Sequence, residues 1–142
     1  MSETQLTPFH LAFPVTDLAA AATFFEDVLG CKRGRETDSW VDFSLFGHQL
    51  SLHQGRSMMQ EGGSGAVDNV AVPMPHFGVV LKWDDWHALA ERLKQAGAIF
   101  RLEPQIRFEG EPGEQGTFFI DAPGDVPLEF KTFRDFAMVF AS

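Results

Sequence analysis

Three side chains with metal-binding chemistry stand at related positions in the chain. His10 lies in the stretch FHLAFPV (9–15), His76 opens HFGVVLK (76–82), and Glu129 lies in PLEFK (127–131). Two neutral imidazoles and one carboxylate leave coordination positions open, a set that suits Fe(II), Mn(II), Co(II), Ni(II) or Zn(II). These residue types predict a divalent metal site if the fold brings them together.

The elements around His10 form a first unit of structure. Residues 9–15 alternate in polarity, which predicts a strand. A helix follows, with Asp17 as its N-cap and Gly30 at its C-terminal end. The segments 39–47 and 48–54 alternate again and predict a hairpin that turns at Gly47–His48.

The same order then repeats around His76. A strand is predicted over 76–82, followed by a helix with Asp84 as its N-cap and Gly97 at its C-terminal end. The helix signals are 13 residues apart in both units (30 − 17 and 97 − 84). Residues 98–108 predict a strand, and residues 117–133 a hairpin around Pro123–Gly124. Repetition of this kind predicts two copies of one βαβββ module.

The repeat predicts an α+β fold in which the two βαβββ modules form an open, cup-shaped mixed β-sheet with the helices on the outer face. A helix covers only one face of each sheet, so the other face is left to line the cup. We expect a single domain over residues 1–142, divided into module one (8–54), a connector rich in Gly, Met and Pro (55–75), module two (76–133) and a C-terminal segment (134–142).

Strand alternation assigns side chains to the two faces. The large apolar residues fall on the helix side: Phe9, Leu11, Phe13, Val15, Phe77, Val79, Leu81, Phe118, Ile120, Leu128 and Phe130. The cup side takes the residues His10, Ala12, Pro14, Ser51, His53, His76, Gly78, Val80, Pro127, Glu129 and Lys131. The three metal-binding side chains therefore share one face, and the small Ala12 and Gly78 leave room for a substrate. His53 is a further candidate, either as a fourth ligand or as a catalytic acid/base.

Three stretches resemble one known family. FHLAFPVTDLAAAATFFEDVLG, PHFGVVL and APGDVPLEFK are similar to the vicinal oxygen chelate superfamily, which includes glyoxalase I, extradiol dioxygenases, fosfomycin-resistance thiol transferases, methylmalonyl-CoA epimerase and bleomycin-resistance proteins. The resemblance covers about residues 8–133. The family ending D-x-x-G-x-x-x-E is represented by Asp121, Gly124 and Glu129, with one residue more than the commonest spacing.

The resemblance implies metal ligands on the first and last strand of each module. The matching positions are His10, His76 and Glu129, and the fourth corner falls near Ser51 or His53. The two-carboxylate arrangement of glyoxalases is therefore absent. A set of two histidines and one carboxylate suits Fe(II) and O₂, so we expect a dioxygenase-like oxidoreductase that acts on a small substrate with adjacent oxygens, with Fe(II) favoured over Mn, Ni, Co or Zn.

Two alternatives stay open. One is a glyoxalase-type isomerase or lyase, or a thiol transferase, which would turn over without oxygen. The other is a non-catalytic small-molecule-binding protein of the resistance type. For the substrate, Arg107 and Gln115 flank the loop 109–116, which crosses the mouth of the cup if the family layout holds, and Lys131 is in phase with Glu129. These three residues are the candidate substrate contacts, although solvent-facing roles fit them equally.

Composition narrows the possible partners. A net charge of −9 disfavours nucleic acid and anionic membrane surfaces. The single cysteine, Cys31, cannot form an internal disulfide, and we expect a small apolar role for it in a cytoplasmic protein. Two-module members of the resembling family commonly form homodimers, and the cup can close within one chain or by exchange of a module. The sequence leaves that choice open.

Overall fold

A computed structural model describes residues 6–59, 64–67 and 70–142 of the chain. The described residues contain two four-stranded mixed sheets, each made by one βαβββ unit. The α+β fold and the internal repeat predicted from the sequence are confirmed.

The first unit contains β1 (His10–Val15), α1 (Leu18–Thr23), a π-helical turn (Phe24–Val28), β2 (Lys32–Glu36), β3 (Trp40–Leu45) and β4 (His48–Gln54). Its strand order is β1-β4-β3-β2, with β1 parallel to β4. Asp17 caps α1 as predicted, because its side chain accepts a hydrogen bond from the backbone N–H of Ala20 at 3.0 Å. The strand β2 was not predicted, because KRGRE has no apolar alternation and depends on pairing with β3.

Between the units, the connector contains a two-stranded hairpin of β5 (Ser64–Val67) and β6 (Val70–Pro73). The sequence predicted only a connector here, since the segment is short and rich in Gly and Pro. The hairpin ends at Pro73, three residues before His76.

The second unit contains β7 (Phe77–Leu81), α2 (Trp83–Gln95), β8 (Ile99–Arg107), β9 (Gln115–Ala122) and β10 (Val126–Phe133), followed by a 3₁₀ helix (Phe136–Phe140). Its strand order, β7-β10-β9-β8, repeats that of the first unit, with β7 parallel to β10. The prediction that Asp84 is the N-cap of α2 is wrong. The N-cap is Lys82, and Asp84 lies in the first turn, where its charge complements the helix dipole.

The helix-covered faces of both sheets meet in one apolar core. The rings of Phe13 and Phe77 lie 4.9 Å apart and join the two units. The indole N–H of Trp86 donates to the backbone carbonyl of Phe130 at 2.8 Å, which satisfies a buried polar group. Phe13 and the other helix-side residues that are fully buried confirm the predicted strand phase: Val15, Phe118, Ile120, Leu128 and Phe130.

Phe9 does not follow this pattern. Its side chain is 64 % exposed, because β1 begins one residue later, at His10. The sequence expectation that Phe9 faces the helices is therefore wrong.

On the helix-free face of the second sheet, Gly78 lies beside Glu129 in the parallel β7–β10 pair. A Cβ atom at position 78 would lie 1.6 Å from the Glu129 carbonyl oxygen. Only glycine permits this approach of the two backbones, which fixes Glu129 next to the start of β7.

None of the described helices is both long and apolar enough to cross a membrane.

Candidate metal centre

His76 and Glu129 are in direct contact on the helix-free face of the second sheet. Nε2 of His76 lies 3.1 Å from Oε1 of Glu129, and the two side chains are 18 % and 15 % exposed. The contact follows from the register, because Gly78 pairs with Glu129 and His76 precedes Gly78 by two residues on the same face. The structure thus brings together two of the three metal ligands predicted from the sequence.

The second ring nitrogen of His76 determines what lies between the pair. Nδ1 is 2.7 Å from the carbonyl oxygen of Pro73, which can only accept a hydrogen bond. Nδ1 therefore carries the proton, and in the neutral ring Nε2 presents a lone pair to the Glu129 carboxylate. Lone pair and carboxylate repel at this distance unless a proton or a metal cation joins them. A metal-binding histidine has this arrangement, with Nδ1–H on a carbonyl and Nε2 toward the ion, so the two residues fit a divalent cation.

The carboxylate of Glu129 is held in the same way. The hydroxyl of Thr117 on the neighbouring strand β9 donates to Oε2 at 2.5 Å. Phe119 packs edge-on against the His76 ring, with centroids 4.8 Å apart, and is itself covered by Val72 of β6 and by Leu102. Both candidate ligands are therefore oriented by groups behind them, as preorganised ligands are.

His10 does not join this pair within one chain. It is exposed on β1, which lies at the edge of the first sheet. Within the ranges 6–59, 64–67 and 70–142, no three His, Cys, Asp or Glu side chains converge in a way that could hold a metal ion. A single chain therefore supplies two of the three predicted ligands at one place.

The two candidates for a fourth corner both lie on the first sheet. The Ser51 hydroxyl donates a hydrogen bond to Oδ1 of Asp42, and both residues are buried. Its proton is thus committed to Asp42. His53 is exposed and lies against the Trp40 ring at 6.3 Å. Neither side chain approaches the His76–Glu129 pair in the described contacts.

The three candidate substrate residues lie on the second sheet: Arg107 and Gln115 at the end away from His76, and Lys131 between that end and Glu129. Lys131 pairs with Thr117 in the β10–β9 ladder, and Arg107 pairs with Gln115 in the β8–β9 ladder. Their described contacts are local: Lys131 stacks on Phe133 at 5.7 Å, and the Gln115 amide donates to the Gly113 carbonyl at 3.3 Å.

Other reactive side chains have structural roles. Burial raises the pKa of the Cys31 thiol to about 11, despite the opposing charge of Arg92, so the thiol stays protonated and is a poor nucleophile. Nδ1 of His48 accepts from the backbone N–H of Phe9 at 2.8 Å. His87 is exposed on α2 and bonds the carbonyl of Trp83 at 2.9 Å.

Sequence reasoning missed Thr117, the Pro73 carbonyl and Asp42. Thr117 on β9 contacts Glu129 on the neighbouring strand β10. Pro73 contacts His76 from the end of a hairpin that the sequence did not predict. Asp42 had a usable signal: in WVDFSL, it takes the polar phase between the buried Val41 and Phe43.

Comparison with known proteins places the chain in a family. The sequence profile of the Glyoxalase/Bleomycin resistance protein/Dioxygenase superfamily matches residues 7–130. A solved structure described as a glyoxalase/bleomycin resistance protein/dioxygenase from Alicyclobacillus acidocaldarius is 32 % identical, with a TM-score of 0.77, over 94 % of this chain and 96 % of that one. The chain belongs to this superfamily, as the resemblance indicated.

More distant structures share the fold alone. The fosfomycin resistance protein FosX from Listeria monocytogenes is 14 % identical, with a TM-score of 0.62, over 97 % of this chain and 100 % of that one. A lactoylglutathione lyase from Agrobacterium tumefaciens is 17 % identical, with a TM-score of 0.61, over 99 % and 100 % of the two chains. Comparison with curated protein sequences gives no significant match.

Replacing Thr117 by valine should weaken metal binding without unfolding the protein. Thr117→Val removes the hydrogen bond that orients the Glu129 carboxylate, and loss of such a support costs about 10- to 100-fold in metal affinity. Titration calorimetry with Zn(II) measures the change. Thr132→Val is the matched control, because the buried Thr132 hydroxyl has no hydrogen-bond partner among the described residues. Equal affinities of the two variants would contradict the role given to Thr117.

Proposed function

We propose that the protein is a metal-dependent, dioxygenase-like enzyme of this superfamily that acts on a small substrate with adjacent oxygens. The observation that carries the proposal is the His76–Glu129 contact. Because the ring proton is on Nδ1, the unprotonated Nε2 faces a carboxylate oxygen at 3.1 Å. A bound proton could also join the pair. A divalent cation is favoured because the carboxylate and the imidazole are each oriented by a second hydrogen bond.

We assign His76 and Glu129 as two metal ligands and His10 of a second copy of the chain as the third. When bound there, a divalent ion would supply Lewis acidity and open positions for two neighbouring substrate oxygens. The chain itself contributes orientation: Pro73 fixes the His76 tautomer, and Thr117 holds the carboxylate. Gly78 does not add the substrate space that the sequence had suggested; it lets the Glu129 backbone approach β7.

Fe(II) is the favoured ion, with Mn, Ni, Co or Zn as the other candidates. Two nitrogens and one carboxylate form the ligand set associated with iron and oxygen chemistry. Glyoxalase chemistry would use a second carboxylate ligand, but the fourth corner carries Ser51 or His53 instead. The Ser51 hydroxyl is moreover committed to Asp42. His53 stays our candidate acid/base, and Arg107, Gln115 and Lys131 our candidate substrate contacts.

We further propose that the enzyme is a homodimer whose site combines module one of one copy with module two of the other. The strands β1 and β7 are edge strands, and among the described residues each has one side without a pairing strand. A groove of about 730 Å³ is lined by all five residues of β7 and, from β1, by Leu11. Six of the ten exposed large apolar side chains of the described residues line it: Leu6, Phe9, Phe46, Val80, Phe136 and Phe140. An apolar surface of this extent, beside two open edges, supports association with a second copy.

The alternatives differ in what they require. A glyoxalase-type isomerase, a lyase or a thiol transferase would turn over without oxygen, and a resistance-type binding protein would need no metal. The solved lyase and FosX structures share only the fold with this chain. A cytoplasmic location remains an expectation, supported by the free, buried state of Cys31.

Oxygen uptake tests the proposed reaction. Protein loaded anaerobically with Fe(II) should consume oxygen when catechol is added, and His76→Ala should lose both bound iron and uptake, because one ligand is gone. His87→Ala is the control, since His87 is an exposed histidine on α2 and should leave both unchanged. Turnover of the hemithioacetal of methylglyoxal and glutathione under nitrogen, without oxygen uptake, would favour the isomerase alternative. Equal iron content in both variants would contradict the metal site.

Mixing two inactive variants tests the two-chain site. His10→Ala and His76→Ala should each bind no metal tightly, because every site in either homodimer lacks one ligand. After unfolding and refolding together, half of the dimers are mixed, and each mixed dimer has one intact site, which restores about a quarter of the wild-type metal content. Metal analysis after gel filtration measures it. No restoration, with dimers formed, would contradict a site shared between chains.

A further inference from the structure

Asp42 is a buried carboxylate on the helix-free face of the first sheet that the proposed metal chemistry does not use. It is 8 % exposed, and its described hydrogen bond comes from the Ser51 hydroxyl. No Lys or Arg side chain within the described ranges forms an ion pair with it. A buried carboxylate with so little compensation is costly, so a role beyond packing has to be considered for it.

The internal repeat shows that the fold does not require an acid at this place. Ala12, Ser51 and Asp42 are neighbours across β1, β4 and β3. In the second sheet the corresponding row is Gly78, Glu129 and Phe119. Position 42 therefore matches the apolar Phe119, which is packed under a hairpin, whereas Asp42 opens onto a cavity.

That cavity measures about 420 Å³ and reaches Gln49, the partner of His10 in the β1–β4 ladder. Asp42 forms part of its wall, together with polar and basic residues of β2, β3 and β4: Lys32, Arg35, Ser44, His48 and Gln49. Gly34 lies beside Asp42, because a Cβ built at position 34 would be 3.4 Å from the Asp42 Cβ. As a glycine, it places no side chain in the cavity there. The carboxylate thus stands beside a space large enough for a small molecule.

His10 and Asp42 are separated by two residues along the strand and by two strands. Rises of about 3.3 Å and strand spacings of about 4.8 Å give roughly 12 Å between their Cα atoms. Both side chains lie on the same face of the sheet, with Gln49 and Ser51 of β4 between them. A substrate that contacts both would lie over β4.

We propose that Asp42 is the proton acceptor for a substrate that carries an acidic hydroxyl, such as a catechol, and that Ser51 is the residue that positions it. The substrate hydroxyl gives its proton to Oδ2 of Asp42, and the electron pair of the broken O–H bond stays on the substrate oxygen. Ser51 donates to Oδ1 and so leaves Oδ2 to accept the proton. This inference rests on the proposed function, because it needs a substrate held next to His10.

Proton counting tests the inference without turnover. Zn(II)-loaded protein is titrated with 4-nitrocatechol, whose absorption reports its ionisation, at a pH at which the free probe keeps a hydroxyl proton. Calorimetry in buffers of different ionisation enthalpy counts the protons released. Wild-type protein should keep the proton, whereas Asp42→Asn should release about one more per bound probe or bind the probe in a more protonated form. Asp38→Asn, an exposed aspartate outside the cavity, should behave as wild type.

Two further results of this titration would contradict the role of Asp42. Equal proton counts and spectra for wild type and Asp42→Asn would overturn the role of Asp42 while leaving the proposed function intact. No binding of the probe to wild type would overturn both. If Asp42→Asn does not fold, infrared difference spectra of wild-type protein labelled with ¹³C-aspartate replace it. A protonated-carboxyl band that shifts with the label on probe binding supports the inference, and its absence overturns it.

Discussion

The proton on Nδ1 of His76 is the constraint on which the site depends. A neutral imidazole carries one N–H, and the Pro73 carbonyl at 2.7 Å claims it. The other nitrogen then faces Glu129 with a lone pair, and only a proton or a cation makes that contact favourable. The surrounding structure serves this pair: the backbone approach at Gly78 sets the distance between their strands, and Thr117 fixes the carboxylate.

The internal repeat explains how a small domain can build such a site. Each βαβββ module packs one face of its sheet against the shared core and leaves the other face free of helices. The two modules differ in the side chains that they carry on this helix-free face. Module two carries the histidine–glutamate pair, and module one carries His10 and the buried Asp42–Ser51 pair. Neither set is sufficient for the proposed reaction alone, which is why we place them together across two copies of the chain.

Much of this arrangement could be predicted from the sequence. Period-two alternation assigned Phe13 and Phe130 to the core and Glu129 to the open face, and burial confirms that phase. The limits are equally physical. The strand β2 has no apolar pattern of its own, and the β5–β6 hairpin forms in a segment that resembles a loop. Contacts across strands, such as Thr117 with Glu129, depend on register, which a single sequence does not specify.

The most direct measurement is the anomalous scattering of crystals grown with Mn(II) or Zn(II). We predict one anomalous peak per site, bonded to Nε2 of His76 and to a carboxylate oxygen of Glu129 at about 2.0–2.2 Å, with His10 of a second copy as the next ligand. Crystals that hold the metal elsewhere, with His76 and Glu129 still in direct contact, would contradict it.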